Sequence, residues 1–226
     1  MKELEVSGVK IFWTGHDGFR IEGDGTVLYI DPFRLVSPVK ADVILVTHNH
    51  FDHYSKDDIK KVVKERSLII APKELSGVEL EFNCRGVFLE PWAKYHSDEF
   101  KVTVIAVPAY NVNKFRAPGV PFHPKEDGKL GFIVELAGVK IFHAGDSDNI
   151  PEYEKLRDYE VDVALLPVSG TYVMTPDEAA EAAMVIRPKI AVPMHWGEII
   201  GSRAEALKFK DLLGDSGIEV KILDRV

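Results

Sequence analysis

The sequence predicts an α/β protein in one domain, with two packed sheets flanked by helices. Three observations carry this. The apolar runs are short and β-branched, and Gly and Pro turns separate them, which is strand patterning. Three other segments carry helix caps and helical spacing. Two strand sequences also recur in the same order along the chain. Gly8-Val9-Lys10-Ile11-Phe12 returns as Gly138-Val139-Lys140-Ile141-Phe142, and Asp42-Val43-Ile44-Leu45 as Asp162-Val163-Ala164-Leu165. The 226 residues suit one compact domain, read as two similar halves, roughly 1–125 and 126–226.

Taken in order, the strands expected are Val9–Trp13, Phe19–Glu22, Val27–Ile30, Val43–Thr47, Leu68–Ala71 and Val87–Leu89, then Lys101–Val107, Gly131–Leu136, Lys140–His143, Val163–Pro167, Ile190–Pro193 and Glu219–Leu223. Asp24-Gly25 and Ala137-Gly138 read as hairpin turns. Helix Ser55–Glu65 starts on a serine cap and puts Ile59, Val62 and Val63 on one side. Thr175–Ile186 opens with a threonine cap, Pro176 in the first turn and Glu178 three residues after the cap. Arg203–Leu213 stops at Gly214.

Composition narrows the function. With 46% hydrophobic and 28% charged residues the chain buries a core, so it is neither disordered nor fibrous. The N-terminus lacks the basic start and apolar run of a signal peptide. No stretch reaches the roughly 20 apolar residues of a membrane span. Cys84, the single cysteine, suits a reducing cytoplasm. A net charge of -8 without a basic stripe argues against nucleic acid as partner. The expected partner is a small-molecule substrate, with no membrane insertion; a homo-oligomer stays open.

The segment that carries chemistry is Thr47-His48-Asn49-His50-Phe51-Asp52-His53, directly after a strand. On extended chain His48, His50 and Asp52 share one side, with His53 turning off behind them. Three imidazoles and a carboxylate this close would each need a partner in a core, whereas zinc favours such ligands. One loop cannot close a metal site alone. Asp146, in Ala144-Gly145-Asp146-Ser147, and His195, in Pro193-Met194-His195-Trp196-Gly197, both follow strands and are the candidate further ligands.

The pattern His48-x-His50-x-Asp52-His53, Gly145-Asp146, His195 resembles the metallo-β-lactamase superfamily, over essentially the whole chain. Trp13-Thr14-Gly15-His16 and Ile30-Asp31-Pro32-Phe33 look like its branch of metal-dependent hydrolases that includes ascorbate-phosphate lactonase. The resemblance implies a four-layer αββα sandwich with a dinuclear centre at one edge. It implies His48 and His50 at a first metal, Asp52, His53 and His195 at a second, Asp146 bridging, and Asp31 supporting from behind.

One position departs from the family. Asn111, in Val107-Pro108-Ala109-Tyr110-Asn111, stands where a further histidine is expected. Either the first site is weakened, or His123, on the Pro-rich loop Pro121-Phe122-His123-Pro124-Lys125, or the Asn111 amide oxygen completes it. His16 is the candidate for substrate contact or proton transfer, and Tyr110 is a second candidate proton donor. Tyr110 and Trp196 adjoin the motifs and are expected to wall a pocket. His143 reads as internally hydrogen-bonded and His96 as a surface residue.

These residues point to a metal-dependent hydrolase. A metal-bound water would lose its proton near neutral pH and attack an ester, lactone or phosphodiester of a small molecule, with Asp52 orienting it. Zinc, one or two ions per chain, is the expected cofactor, with manganese or iron as alternatives. The competing reading is a non-catalytic ligand-binding or sensing protein with a degraded metal site.

Overall fold

Short alternating strands open the chain as a meander: β1 (Leu4–Val6), β2 (Val9–Gly15), β3 (Gly18–Gly23) and β4 (Thr26–Ile30), all antiparallel. The computed structural model describes all 226 residues. From β4 the pairing turns parallel through β5 (Val43–Leu45), β6 (Leu68–Pro72) and β7 (Arg85–Leu89), completing a seven-stranded sheet in sequence order. Helix α1 (Lys56–Val62) links β5 to β6, capped by the Ser55 side chain, and a short α2 (Val78–Phe82) precedes β7.

The second sheet repeats the plan. Strands β8 (Lys94–Ser97) and β9 (Val102–Pro108) form a hairpin. A small ribbon, β10 (Phe115–Ala117) and β11 (Val120–Pro121), follows in the connecting loop. Strands β12 (Leu130–Leu136) and β13 (Val139–His143) continue antiparallel. Parallel β14 (Val163–Pro167), β15 (Ile190–Met194) and β16 (Glu219–Val220) finish the sheet, with α3 (Pro176–Ile186) and α4 (Arg203–Leu212) as crossovers. The sheet order is β16-β15-β14-β13-β12-β9-β8.

The main core of 51 buried residues fills the space between the sheets, with Ile11, Phe19, Phe132, Leu165 and Val192 among them. It continues onto the outer face of the second sheet, where Phe142 meets Tyr153 and where α3 and α4 bury Ala183 and Phe209. A smaller cluster buries Ile59 and Val62 of α1 against Tyr29, Ile44 and Ile69 on the outer face of the first sheet. Helices α3 and α4 pack on one another and on β14 and β15. The layers are therefore helix, sheet, sheet, helix, as expected for a mixed α/β sandwich. Each large apolar side chain fully buried there contributes ~1.5–3 kcal/mol. No helix is long and apolar enough to cross a membrane.

The differences from the expected elements are at the margins. Strands β1 and β8 escaped the sequence reading because one has three residues and the other is a polar edge strand. The sheets divide between Leu89 and Lys94, upstream of the expected division near 125/126, because β8 pairs with β9 and β9 with β12. Of the two sequence echoes, one is a true structural equivalence. Asp42 and Asp162 each start a parallel strand and accept the backbone N–H of Val27 or Lys140 on the strand before, both at 2.9 Å. The Gly8 and Gly138 echo is shared hairpin chemistry only, since β13 occupies the place of β4 and not of β2.

Candidate metal centre

The strand ends of both sheets deliver the site residues to one edge. Asp31 follows β4, His48 to His53 follow β5, Asp146 follows β13, Ser169 follows β14 and His195 follows β15. This is the crevice at the carboxyl ends of parallel strands where α/β folds place their ligands. The two residues between β2 and β3, His16 and Asp17, reach the same place from a hairpin tip.

Tight backbone holds these groups. Gly145 has φ +60°, and a Cβ there would lie 2.8 Å from the Leu130 carbonyl, so glycine is needed for Asp146 to turn inward. Asp31, His16 and His195 adopt left-handed φ values of 44°, 53° and 59°. Such conformations cost about 1–2 kcal/mol each and persist where surrounding structure imposes them. The His16 carbonyl accepts from Trp13 Nε1 at 2.8 Å and from the His195 N–H at 3.0 Å. His143 donates from Nε2 to the Asp17 carbonyl at 2.9 Å and accepts the Gly145 N–H on Nδ1 at 3.1 Å. His143 is thus an internal tie between two site turns, and His96 is a surface residue beside Thr103 and Asp98.

Four imidazoles are held by one nitrogen and present the other. His53 Nδ1 donates to Asp31 Oδ2 at 2.7 Å, and Asp31 is fixed in turn by the Thr47 N–H and hydroxyl. His48 Nδ1 lies 3.0 Å from the Thr47 hydroxyl, His195 Nδ1 2.7 Å from the Ser169 hydroxyl, and His123 Nδ1 2.9 Å from Asn111 Oδ1. Locking Nδ1 in this way leaves Nε2 with its lone pair free for a cation.

Those Nε2 atoms converge on Asp146. Oδ1 of Asp146 lies 3.3 Å from His53 Nε2 and 3.5 Å from His195 Nε2. Oδ2 lies 3.3 Å from His123 Nε2 and 3.9 Å from His48 Nε2. The carboxylate faces two nitrogen groups, one with each oxygen. Potential ligand atoms of His48, His50, His123 and Asp146 all lie within 4.8 Å of one another, as do those of His16, Asp52, His53 and His195. The Nε2 atoms of His48, His53 and His123 and Oδ1 of Asp146 are buried without a hydrogen-bond partner. Orphans of this kind cost a few kcal/mol each unless something satisfies them. Neutral imidazole and carboxylate donors converging in this way fit a pair of transition-metal ions.

Charge follows from this packing. On His48 burial, aided by His53, drives the pKa well below the imidazole range. On His123 burial prevails over the attraction of Asp146 and lowers the pKa to about 4. On His195 burial is outweighed by Asp17 and Asp146, and the pKa rises to about 9. Burial likewise opposes charge on His53, but Asp146 and Asp31 lift it well above the usual value. Burial would raise Asp146, yet His53 and His195 hold it well below the carboxylate range.

Above these groups opens a cavity of about 500 Å³. His16, His50, Asp52, His123, Asp146 and His195 form its base. Phe51, Phe122, Tyr172, Ile199 and Ile200 supply apolar wall, and no Lys or Arg lines it.

A family model described as the β-lactamase superfamily domain matches residues 10–195. The chain belongs to the metallo-β-lactamase superfamily. A UPF0173 metal-dependent hydrolase from Thermococcus onnurineus is 33% identical over 231 residues, covering 95% of this chain and 96% of that protein. One from Thermoplasma acidophilum is 33% identical and covers 96% of each chain. A solved structure from Parabacteroides distasonis, named as a metal-dependent hydrolase, shares 31% identity with a TM-score of 0.82 over 99% of this chain and 98% of that one. The fold, the family and these relatives make the protein a metal-dependent hydrolase, which removes the non-catalytic reading.

At this metallo-β-lactamase edge, His48, His50, His123 and Asp146 gather in one group and His16, Asp52, His53 and His195 in an adjoining one, with Asp31 behind His53. Two aromatic expectations are corrected. Tyr110 does not line the cavity: its hydroxyl donates to Glu152 at 2.8 Å and its ring lies under Lys125. Trp196 stacks on Trp13 at 4.5 Å and donates to the Pro193 carbonyl, so it is core and not wall. Sequence reasoning missed Asp17, Ser169, Phe51 and Tyr172. Asp17 sits in a hairpin turn, where aspartate is common for local reasons, and the others carry no spacing signal.

Proposed function

We propose that the protein hydrolyses a small, largely uncharged ester or lactone with the help of two metal ions, zinc by default and manganese or iron as substitutes. His48, His50, His123 and Asp146 would hold the first ion, and Asp52, His53, Asp146 and His195 the second. The observation that carries the dinuclear reading is the pairing of each Asp146 oxygen with a different set of histidine Nε2 atoms. When bound, the ions supply Lewis-acid polarisation of the scissile group and an acidified water.

The chain's own residues do the rest. Asp31, Thr47, Asn111 and Ser169 fix the four ring orientations, so little reorganisation accompanies the reaction. His16 Nε2 lies 3.0 Å from Asp52 Oδ2, and both residues line the cavity. This pair takes the leaving-group proton role expected of His16, and Tyr110, outside the cavity, does not share it. The walls exclude water and accept an apolar substituent. The lack of a lining cation favours a neutral carboxylic ester or lactone over a phosphodiester, which would gain from Lys or Arg. Cys84, half-buried and unpaired, suits a cytoplasmic setting.

The test compares zinc- and manganese-loaded enzyme on a neutral aryl ester, an aliphatic lactone and an aryl phosphodiester. The reading expects the first two to be cleaved with the larger kcat/KM, and chelation to stop it. A preference for the phosphodiester would overturn the substrate assignment.

A further inference from the structure

Asp17 has no structural explanation in the fold. Its side chain is fully buried, and neither carboxylate oxygen has a hydrogen-bond partner. No Lys or Arg pairs with it among the salt bridges of the structure, and its contacts there are with histidines. A buried carboxylate without donors is strongly destabilising, and a turn aspartate normally bonds its own backbone or faces water. The backbone keeps it there. His143 holds the Asp17 carbonyl at 2.9 Å, and the β2–β3 hairpin leaves only two residues to turn.

What the carboxylate faces is the metal centre. Asp17 Oδ2 lies 3.5 Å from His53 Nε2 and 3.9 Å from His195 Nε2. Ligand atoms of Asp17, His53, Asp146 and His195 all lie within 4.8 Å of one another. Two donors each ~2.1 Å from one ion stand roughly 3.0–3.5 Å apart in octahedral or tetrahedral arrangements. The contacts of Asp17 match this spacing about as well as those of His48 and His195 to Asp146.

We propose that Asp17 is a further protein ligand of the ion held by Asp52, His53, Asp146 and His195. The proposal rests on the two-metal reading above. It gives that ion three carboxylates and two imidazoles, a donor set with more oxygen than the first site has, and one that accommodates harder ions such as manganese or iron.

The experiment uses Asp17→Asn and Asp17→Ser in the full chain. Two measurements are made: zinc affinity by competition with a chromogenic chelator, and thermal unfolding with and without zinc. Wild type should bind two ions. Both variants should keep the first and bind the second at least ~100-fold more weakly, the upper end of what losing an outer partner of a ligand costs. Without metal they should melt at or above the wild-type temperature, since an unpartnered charge site has been removed, and gain less on adding zinc. Unchanged affinity for both ions, or a lower melting temperature without metal, would show Asp17 to be a structural acid and overturn the proposal. Wild type that takes up no metal would instead overturn the two-metal reading, and this proposal with it.

Discussion

Asn111 shows how a single substitution is absorbed. At the position where the superfamily pattern places a histidine, its amide oxygen accepts the His123 N–H at 2.8 Å and faces His123 Nδ1 at 2.9 Å, while its amide nitrogen donates to the Tyr172 carbonyl. On the proposed two-metal reading, the residue orients His123 as the ligand in place of being one. His123→Ala should therefore weaken the first metal selectively and His195→Ala the second. Asn111→Ala should weaken the first by ~10-fold, as for loss of a partner that orients a ligand. Chelator competition on the three variants checks this, and equal loss of both metals in His123→Ala would refute the assignment. The candidate ligands were legible because His48, His50, Asp52 and His53 are too dense for any core. Asp17 and Tyr110 were not. Nothing local separates a turn aspartate from a buried one, and Tyr110, in irregular chain beyond β9, finds its partner in Glu152, 42 residues on, which local sequence does not show.

Elements were legible where end signals are chemical. Helices α1 and α3 start where the Ser55 and Thr175 caps predict, and α3 and α4 both form a capping box, Thr175 with Glu178 and, not read from the sequence, Ser202 with Glu205. Glu178 also pairs with Lys114 at 2.7 Å, tying α3 to the loop that carries Asn111. Burial would raise the Glu178 carboxyl, but Lys114 and the Thr175 amide hold it down to about 2. A pKa depressed on folding contributes stability above the unfolded value of ~4.3, and that contribution is lost as pH falls towards 2. Glu178→Gln should cost about 1 kcal/mol at neutral pH, or roughly 2–4 °C in Tm for a domain of this size. The difference from wild type should shrink through acid pH and vanish near pH 2; a constant difference would mean that the charge is not involved. Elements without such signals, the edge strand β8 and the ribbon β10–β11, depend on tertiary pairing and could not be read locally.

At the scale of the molecule, two sheets of like plan bring the carboxyl ends of their parallel strands to one edge, and the site lies where the two sets of loops meet. The repeated Asp42 and Asp162 contacts mark that likeness in the sequence, whereas the resemblance to a family, and not periodicity, supplied the pairing of remote ligands such as Asp146 and His195. The central claim is that these loops together hold metal, bridged by Asp146. Its most direct test is elemental analysis of protein purified without chelator, then supplied with zinc, beside Asp146→Ala. Wild type should carry one to two ions per chain, rising to about two with zinc. The variant should lose at least one ion and all hydrolysis while keeping its fold. Less than about a tenth of an equivalent in wild type, with no uptake of zinc or manganese, or full metal content in Asp146→Ala, would contradict it.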